Sequence, residues 1–296
     1  CGMSPLARRL SKRCWPGPLT LVASCDSPQS AVTQLPEKVR ECVIGDFGCV
    51  GIRVVDHRIL SGVHRYLSGP LVLTSANLSG EKAPTDAKEV ARQLGDSLPL
   101  LLDDGPTRYG GHSTIVEVIG NRWKILREGV IERAAMNQFV KPVIVMVCTG
   151  NTCRSPMAET LLREHLREKL GSEDAVRVIS AGVAAGQGSG ASPQAVEVMG
   201  RRGLDLTGHS SRVLDDQVMR VADLVLTMTR GHRAAILAAW PDMQDRVHTL
   251  RRDGGDISDP VGMPVDVYSA CADQIEKELA DWIDSLDEDF FPAKDG

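Results

Sequence analysis

Val143-Ile144-Val145-Met146-Val147-Cys148-Thr149-Gly150-Asn151-Thr152-Cys153-Arg154-Ser155-Pro156 decides how the chain is read: an apolar run, a short polar loop, then a proline. The run Val143–Val147 suits a strand buried on both faces. Pro156 is expected at the first position of a helix reaching about Leu170, where its missing N–H does no harm. Between the two elements, the backbone N–H groups of the loop would converge on a cup at the helix N-terminus, which suits a phosphate. Arg154 adds a planar, permanently charged fork for two phosphoryl oxygens. Cys148, at the mouth of the same positive cup, would be stabilised as a thiolate. Gly150 and Asn151 tolerate the left-handed backbone that such a cup needs. Ser155 can donate a hydrogen bond to the thiolate and so improve it as a leaving group.

Outward from this loop, strand and helix alternate. Val176–Ile179, Ala222–Thr227 and Val247–Leu250 read as strands; Pro193–Arg202, His232–Ala239 and Val265–Leu286 read as helices, with Gly203 closing the first of them. Such alternation predicts a parallel sheet covered on both faces. Ala184–Ser192, rich in small residues, reads as an exposed loop. Arg133–Lys141 has little periodicity and is taken as a connector. Before it, Leu19–Ala23, Cys49–Val54, Leu71–Thr74, Leu100–Leu102, Thr114–Val118 and Trp123–Arg127 read as short strands, and Ile59–Leu67 and Asp86–Leu94 as helices. The expected fold class is therefore α/β in two domains: residues 1–132, a linker at 133–141, a second domain at 142–288 and a tail at 289–296.

Composition agrees with two globular units. At 296 residues the chain is about twice the common domain length, and 42% hydrophobic against 25% charged residues argues against disorder. Residues 1–140 carry a net charge of +3 and residues 141–296 a net charge of −8, an asymmetry too mild to imply general nucleic-acid binding. No apolar stretch is long enough for a membrane helix, and no secretory signal is visible. Eight cysteines are too sparse for a disulfide scaffold, so a reducing cytoplasm is the expected compartment. The chain begins at Cys1 and enters mid-pattern, which raises the expectation of a longer parent. Cys148 and Cys153 are close, but no second Cys or His pair follows at ligand spacing, so no metal site is expected.

A thiolate attacking phosphorus also needs an acid for the leaving group. Ile257-Ser258-Asp259-Pro260, on a loop before the last helix, offers Asp259; alone, an Asp-Pro pair is most often a turn. With CTGNTCRSPMAE (148–159), Ser180-Ala181-Gly182, LDLTGHSSR (204–212), ADLVLTM (222–228) and Asp259-Pro260, residues 142–288 resemble a low-molecular-weight protein tyrosine phosphatase. The resemblance implies a phosphocysteine on Cys148, Arg154 holding the phosphoryl group, and Asp259 as acid and then as base toward water. It further implies that Asn151 holds the loop shape, supported by Ser180, and that Thr149, Gly150, Thr152, Cys153 and Ser155 complete the phosphate loop. His209 is read as ordering the neighbouring loop rather than moving protons. Cys153 is read either as a partner that traps oxidised Cys148 or as a small core residue. No cofactor is implied, and the partner would be a phosphorylated protein.

Two positions bear on the substrate. Thr152 stands where tyrosine-directed members commonly carry an apolar branched residue and arginine-directed members carry Thr. Val261 stands where relatives usually place Tyr or Phe, two residues after the acid, so less ring stacking is expected. Phosphotyrosine and phosphoarginine both remain open at this point.

Residues 3–131 resemble the later part of a YrdC-like threonylcarbamoyl-AMP synthase, through WPGPLT (15–20), VGIRVVDH (50–57), TSANLSGEKAPT (74–85), the Gly110–Val116 run and ILREG (125–129). The resemblance implies that Arg53, Ser75 and Ser113 face threonine or its carbamate, and that Asn77, Thr85 and Arg127 face the nucleotide. ATP, L-threonine and bicarbonate would be the substrates of a complete domain. The family's opening Lys-x-Arg segment is missing, and Cys49 replaces a usual Thr, so no synthesis is expected from this chain. The competing reading is a YrdC-like RNA- or nucleotide-binding protein, serving tRNA t6A modification in a full-length parent, with weak binding of double-stranded RNA.

Overall fold

The computed structural model describes residues 3–25, 30–45, 48–78, 80–172, 174–286 and 288–293. Cys1, Ser79 of the TSANLSGEKAPT motif and the end of the expected tail at 294–296 lie outside the described residues. The chain divides into two compact units, residues 1–140 with 293–296, and residues 141–292. The fold is mixed α/β with two sheets, one of them wholly parallel.

In the second unit the strands are β5 (Val143–Cys148), β6 (Arg177–Gly182), β7 (Leu224–Thr227) and β8 (Val247–Thr249), and the helices are α6 (Arg154–Leu170), α7 (Pro193–Arg201), α8 (Asp216–Val221), α9 (Arg230–Ala239) and α10 (Val265–Ser285). The sheet order is β6-β5-β7-β8, with every pair parallel. Every residue of β5 is buried, and its side chains divide by the two-residue period of a strand. Ile144, Met146 and Cys148 enter a core with α6, α7 and α10; Val143, Val145 and Val147 enter a second core with α8 and α9. Helices therefore cover both faces, as the alternation implied. Phe290 and Phe291, in the expected tail, pack against the first of these cores.

The first unit contains α1 (Pro5–Cys14), β1 (Leu19–Ser24), α2 (Glu37–Val43), β2 (Cys49–Ile52), α3 (Arg58–His64), α4 (Ala87–Leu94), β3 (Thr114–Ile119), β4 (Arg122–Arg127) and α5 (Arg133–Phe139). Its sheet runs β2-β1-β3-β4, parallel between β1 and β3 and antiparallel elsewhere. The core joins Leu6, Leu10 and Cys14 of α1 to Leu19, Leu21, Val116 and Val118. Ser4 caps α1 by accepting from the Ala7 N–H at 3.2 Å.

Four expectations change. Leu71–Thr74 and Leu100–Leu102 are irregular and not strands, and Val72 and Leu100 are 68% and 71% exposed. An apolar run becomes a strand only beside a partner that completes its ladder, and none of the four paired strands is adjacent to them. The expected connector over 133–141 is largely the helix α5, because Met136 and Val140, four residues apart, both reach the core of the first unit. Pro156 is the third residue of α6, which starts at Arg154; the first three positions of a helix have no carbonyl four residues back, so the missing N–H is harmless there too. Helices α1, α2 and α8 were not anticipated.

Met136→Ala tests the membership of α5 in the first core. Removing this fully buried side chain is expected to destabilise that unit by about 2–5 kcal/mol, seen as a lower urea midpoint; an unchanged midpoint would return 133–141 to the status of a connector.

Candidate active site

The site forms where β5 ends and α6 begins. Cys148 is 3% exposed, and its Sγ lies 2.9 Å from Ser155 Oγ. The Asn151 N–H donates to the same sulfur at 3.3 Å. Of the two residues expected in the left-handed region, Asn151 takes it at φ 54° and Gly150 does not. Asn151 is the one non-glycine residue with positive φ among the described residues. Among those residues, the backbone N–H groups of Gly150, Thr152, Cys153 and Arg154 find no acceptor within the chain. Several unpaired donors at the head of a seventeen-residue helix make an anion-receptive cup.

Asn151 ties this cup to the rest of the unit. Its side-chain N–H groups donate to Ser155 Oγ at 3.0 Å and Ser180 Oγ at 2.8 Å. Its Oδ1 accepts from the Arg212 N–H at 2.9 Å, and its backbone carbonyl lies 2.7 Å from His209 Nε2. His209 therefore contacts the loop backbone, in keeping with an ordering role. Ser180 in turn donates to Glu159 on α6. Gly182 is required by the same packing: a Cβ there would stand 2.4 Å from the Thr149 carbonyl oxygen.

Arg154 is 4% exposed and holds two partners from the segment before α10. Its Nη2 donates to Asp259 Oδ2 at 2.5 Å and its Nη1 to the Ile257 carbonyl at 3.2 Å. The Asp259 side chain stays half exposed, so its carboxylate sits at the rim and the Arg154 guanidinium on the floor. Cys153 lies within 3.4 Å of both Ser192 Oγ and Tyr268 Oη. Its Sγ is also 3.6 Å from Thr152 Oγ1. Cys271, also nearby, is pushed up to about 12 by burial and stays a thiol. Val261 is 64% exposed, two residues beyond Asp259.

His232 was not anticipated as part of the site. It lies in the first turn of α9, 8% exposed, with Nε2 2.8 Å from Thr149 Oγ1 and Nδ1 buried without a partner. Burial chiefly, and then the charge of Arg154, lower its pKa below the ordinary histidine value; Asp259 and Asp256 oppose this more weakly. Glu159, Tyr268 and Gly182 also support the loop. Glu159 and Gly182 fell within motifs that the sequence singled out, without a role assigned to either; His232 and Tyr268 fell outside them.

In the first unit, three of the six expected residues come together. Arg127 Nη2 donates to the Ser113 carbonyl at 3.0 Å and to Ser113 Oγ at 3.2 Å, and Thr20 Oγ1 donates to the same hydroxyl at 3.0 Å. Arg53 donates to the Gly17 carbonyl at 2.9 Å, and Arg127 lies close enough for its charge to act on it. Ser75, Asn77 and Thr85 share no hydrogen bond with this group among the described residues. Asn77 closes a local turn onto the carbonyls of Leu78 and Glu81, and Thr85 bonds Glu89 at the head of α4.

A parallel α/β sheet whose inner strand ends in a cysteine, cupped by a helix N-terminus and faced by a buried arginine, defines a cysteine-based phosphatase. Residues 143–291 match the family model described as low molecular weight phosphotyrosine protein phosphatase, and the chain belongs to that enzyme family. A protein-arginine-phosphatase of Bacillus subtilis (strain 168) is 39% identical over 150 residues, covering 49% of this chain and 97% of that protein. A probable low molecular weight protein-tyrosine-phosphatase EpsP of Ralstonia nicotianae is 35% identical over 141 residues, covering 47% of this chain and 92% of that protein. Residues 2–129 match a second model, described as telomere recombination, so the first unit is a YrdC-like α/β domain. There, a threonylcarbamoyl-AMP synthase of Bacillus subtilis (strain 168) is 32% identical over 139 residues, covering 47% of this chain and 38% of that protein. Among the described residues no helix is long and apolar enough to cross a membrane.

The lowered pKa of His232 carries a pH signature. In the unfolded chain the imidazole protonates near the ordinary value of about 6.5, whereas in the fold it resists protonation to a lower pH. Its contribution to stability is therefore full above that value and is lost as pH falls through the folded pKa. Urea midpoints recorded from pH 7.5 to pH 5 are expected to fall less steeply for His232→Gln than for the wild type; parallel curves would remove the buried neutral imidazole.

Proposed function

We propose that residues 141–292 dephosphorylate protein phosphoarginine through a phosphocysteine formed on Cys148. The Cys148 sulfur attacks phosphorus in line, while the unpaired N–H groups of the loop and the Arg154 fork bind the equatorial oxygens. As the P–N bond breaks, Asp259 gives its proton to the departing guanidine nitrogen. Water then attacks the phosphocysteine, Asp259 takes the proton from that water, and the S–P bond breaks to return the thiolate. Ser155 Oγ, 2.9 Å from the sulfur, supports the thiolate as leaving group. Arg154 releases Asp259 when phosphoryl oxygens take over its donors, so binding and proton delivery are linked.

The observation that carries the choice of substrate is Thr152, inside the loop. A β-branched hydroxyl keeps the shape of an apolar neighbour while offering a donor and an acceptor to the N–P end of the substrate or to the attacking water. Val261 works in the same direction, since it offers no ring face to a phenyl group. The arginine-phosphatase relative, covered over 97% of its length, supports the same reading. Phosphotyrosine is the second reading, favoured by the family model and by the EpsP relative. For the first unit, the Arg53, Ser113 and Arg127 group supports binding of a nucleotide or carbamate anion, with ATP, L-threonine and bicarbonate as the ligands of a complete domain.

Cys148→Ser is expected to abolish turnover while still binding vanadate, and Asp259→Asn to lose far more activity on substrates with poor leaving groups than on p-nitrophenyl phosphate. Substantial turnover by the serine variant would put the nucleophile elsewhere, and equal losses on both substrates would end the acid role of Asp259. Thr152→Ile is expected to shift relative kcat/KM from phosphoarginine toward phosphotyrosine peptides by several-fold, the scale of one hydrogen bond worth about 0.5–1.5 kcal/mol. A wild-type chain that strongly prefers phosphotyrosine, with a ratio indifferent to Thr152→Ile, would establish the second reading instead.

A further inference from the structure

A cleft of about 560 Å³ opens at the β8 edge of the second unit, lined by Arg230, Arg233, His248, Arg252 and Trp282 together with Thr249 and Gly254. It gathers three arginines and a histidine on a unit that is otherwise acidic, since residues 141–296 carry a net charge of −8. Nearby carboxylates do not neutralise all of them. Asp256 is held by Arg230, and Asp253 by Arg251. Arg233 spends its Nε on the Val247 carbonyl and Arg252 its Nη1 on the Asp281 carbonyl, at 2.9 and 3.2 Å. Neither forms an ion pair among the described residues.

Trp282 gives the cleft a fixed wall. Its indole N–H donates to the Leu250 carbonyl at 2.7 Å, the Arg252 guanidinium lies 5.0 Å from its ring centroid, and the His248 ring packs at 5.4 Å. Stacking holds the Arg252 side chain extended and spends little of its hydrogen-bonding capacity.

Two segments that line the cleft continue into the active site. His232, between Arg230 and Arg233, reaches Thr149 of the phosphate loop. The segment that starts at Thr249 and passes Arg252 and Gly254 continues to Ile257, whose carbonyl binds Arg154, and to Asp259. Val147 is paired with Thr227 and Thr227 with Thr249, so the end of β8 that lines the cleft stands two strands, roughly 10 Å, from the strand end that carries Cys148. We propose that the cleft formed by Arg233, Arg252 and Trp282 is a docking site for acidic residues flanking the phosphorylated residue of the protein substrate. This rests on the phosphatase reading above. Charge complementarity favours an acidic peptide, and the two-strand separation from Cys148 favours the substrate over an unrelated anion.

The test compares the full chain on two phosphopeptides, identical except for an acidic or a neutral flank, with p-nitrophenyl phosphate as a substrate too small to reach the cleft. The wild type is expected to show the lower KM on the acidic peptide, a preference that fades as salt is raised. Arg252→Glu is expected to raise that KM about five- to tenfold and to leave p-nitrophenyl phosphate turnover within about twofold; Arg252→Lys is expected to recover most of the preference. Equal KM values for the two peptides in the wild type, or one common loss on all three substrates in Arg252→Glu, would overturn the proposal. So would an Arg252-dependent competition by duplex RNA without any flank preference, which would give the cleft to nucleic acid. Fluorescence anisotropy of the same peptides on the Cys148→Ser chain reads the preference without turnover. A chain that hydrolyses nothing yet still binds the acidic peptide more tightly would sink the phosphatase reading and leave the docking site standing.

Discussion

Asn151 is held in a conformation that L-residues avoid, and the rest of the active unit is arranged so that it stays there. A left-handed residue other than glycine costs about 1–2 kcal/mol, less for asparagine, whose short amide bonds locally. The amide of Asn151 bonds Ser155 on α6, Ser180 on β6 and the backbone of Arg212, while its carbonyl meets His209. Three separate stretches of chain thus converge on one fully buried side chain. The hydrogen bonds offset the local strain and fix the loop backbone, with four of its N–H groups unpaired, before any substrate arrives. Gly182 completes the arrangement from the neighbouring strand, because only a bare Cα lets the Thr149 carbonyl come so near.

The parallel sheet makes this convergence possible. With β5 between β6 and β7, the carboxyl ends of three strands open on the same side; β6 itself brings Ser180 and Gly182 to the cup, and α9, which follows β7, brings His232. Burial of β5 on both faces fixes its register, since a slip of one residue would exchange its two cores. Cys148 is therefore placed by packing along the whole strand, and the loop only has to turn from there.

These relations explain what the sequence reveals and what it hides. The strand, the loop and the helix from Val143 to Leu170 are legible because the residues that make them are contiguous and their chemistry is local. The roles of His232, Glu159 and Tyr268 are not, because each acts through a contact made by tertiary packing: His232 lies 83 residues from Thr149, and Tyr268 lies 115 from Cys153. Asp259 was legible only through family resemblance, since an Asp-Pro pair in isolation is a turn. The first unit shows the opposite failure. Leu71–Thr74 and Leu100–Leu102 have strand composition, yet composition alone supplies no neighbour to hydrogen-bond, and helix α5 was overlooked because its apolar period is only one step long, from Met136 to Val140. Gly129 of ILREG was legible as a motif, but its reason is packing: a Cβ there would lie 2.4 Å from the His112 carbonyl oxygen.

The contact between Arg154 and Asp259 has a consequence for what the resting enzyme ignores. With the guanidinium already facing a carboxylate at 2.5 Å, the floor of the site is not a bare cation waiting for a counterion. A singly charged visitor such as chloride or a stray carboxylate has to dislodge a tethered rival of equal charge and gains little by doing so. A phosphoryl dianion brings twice the charge and enough oxygens to meet the fork and the loop amides together. The resting site carries an internal counterion, which any incoming anion has to replace at Arg154.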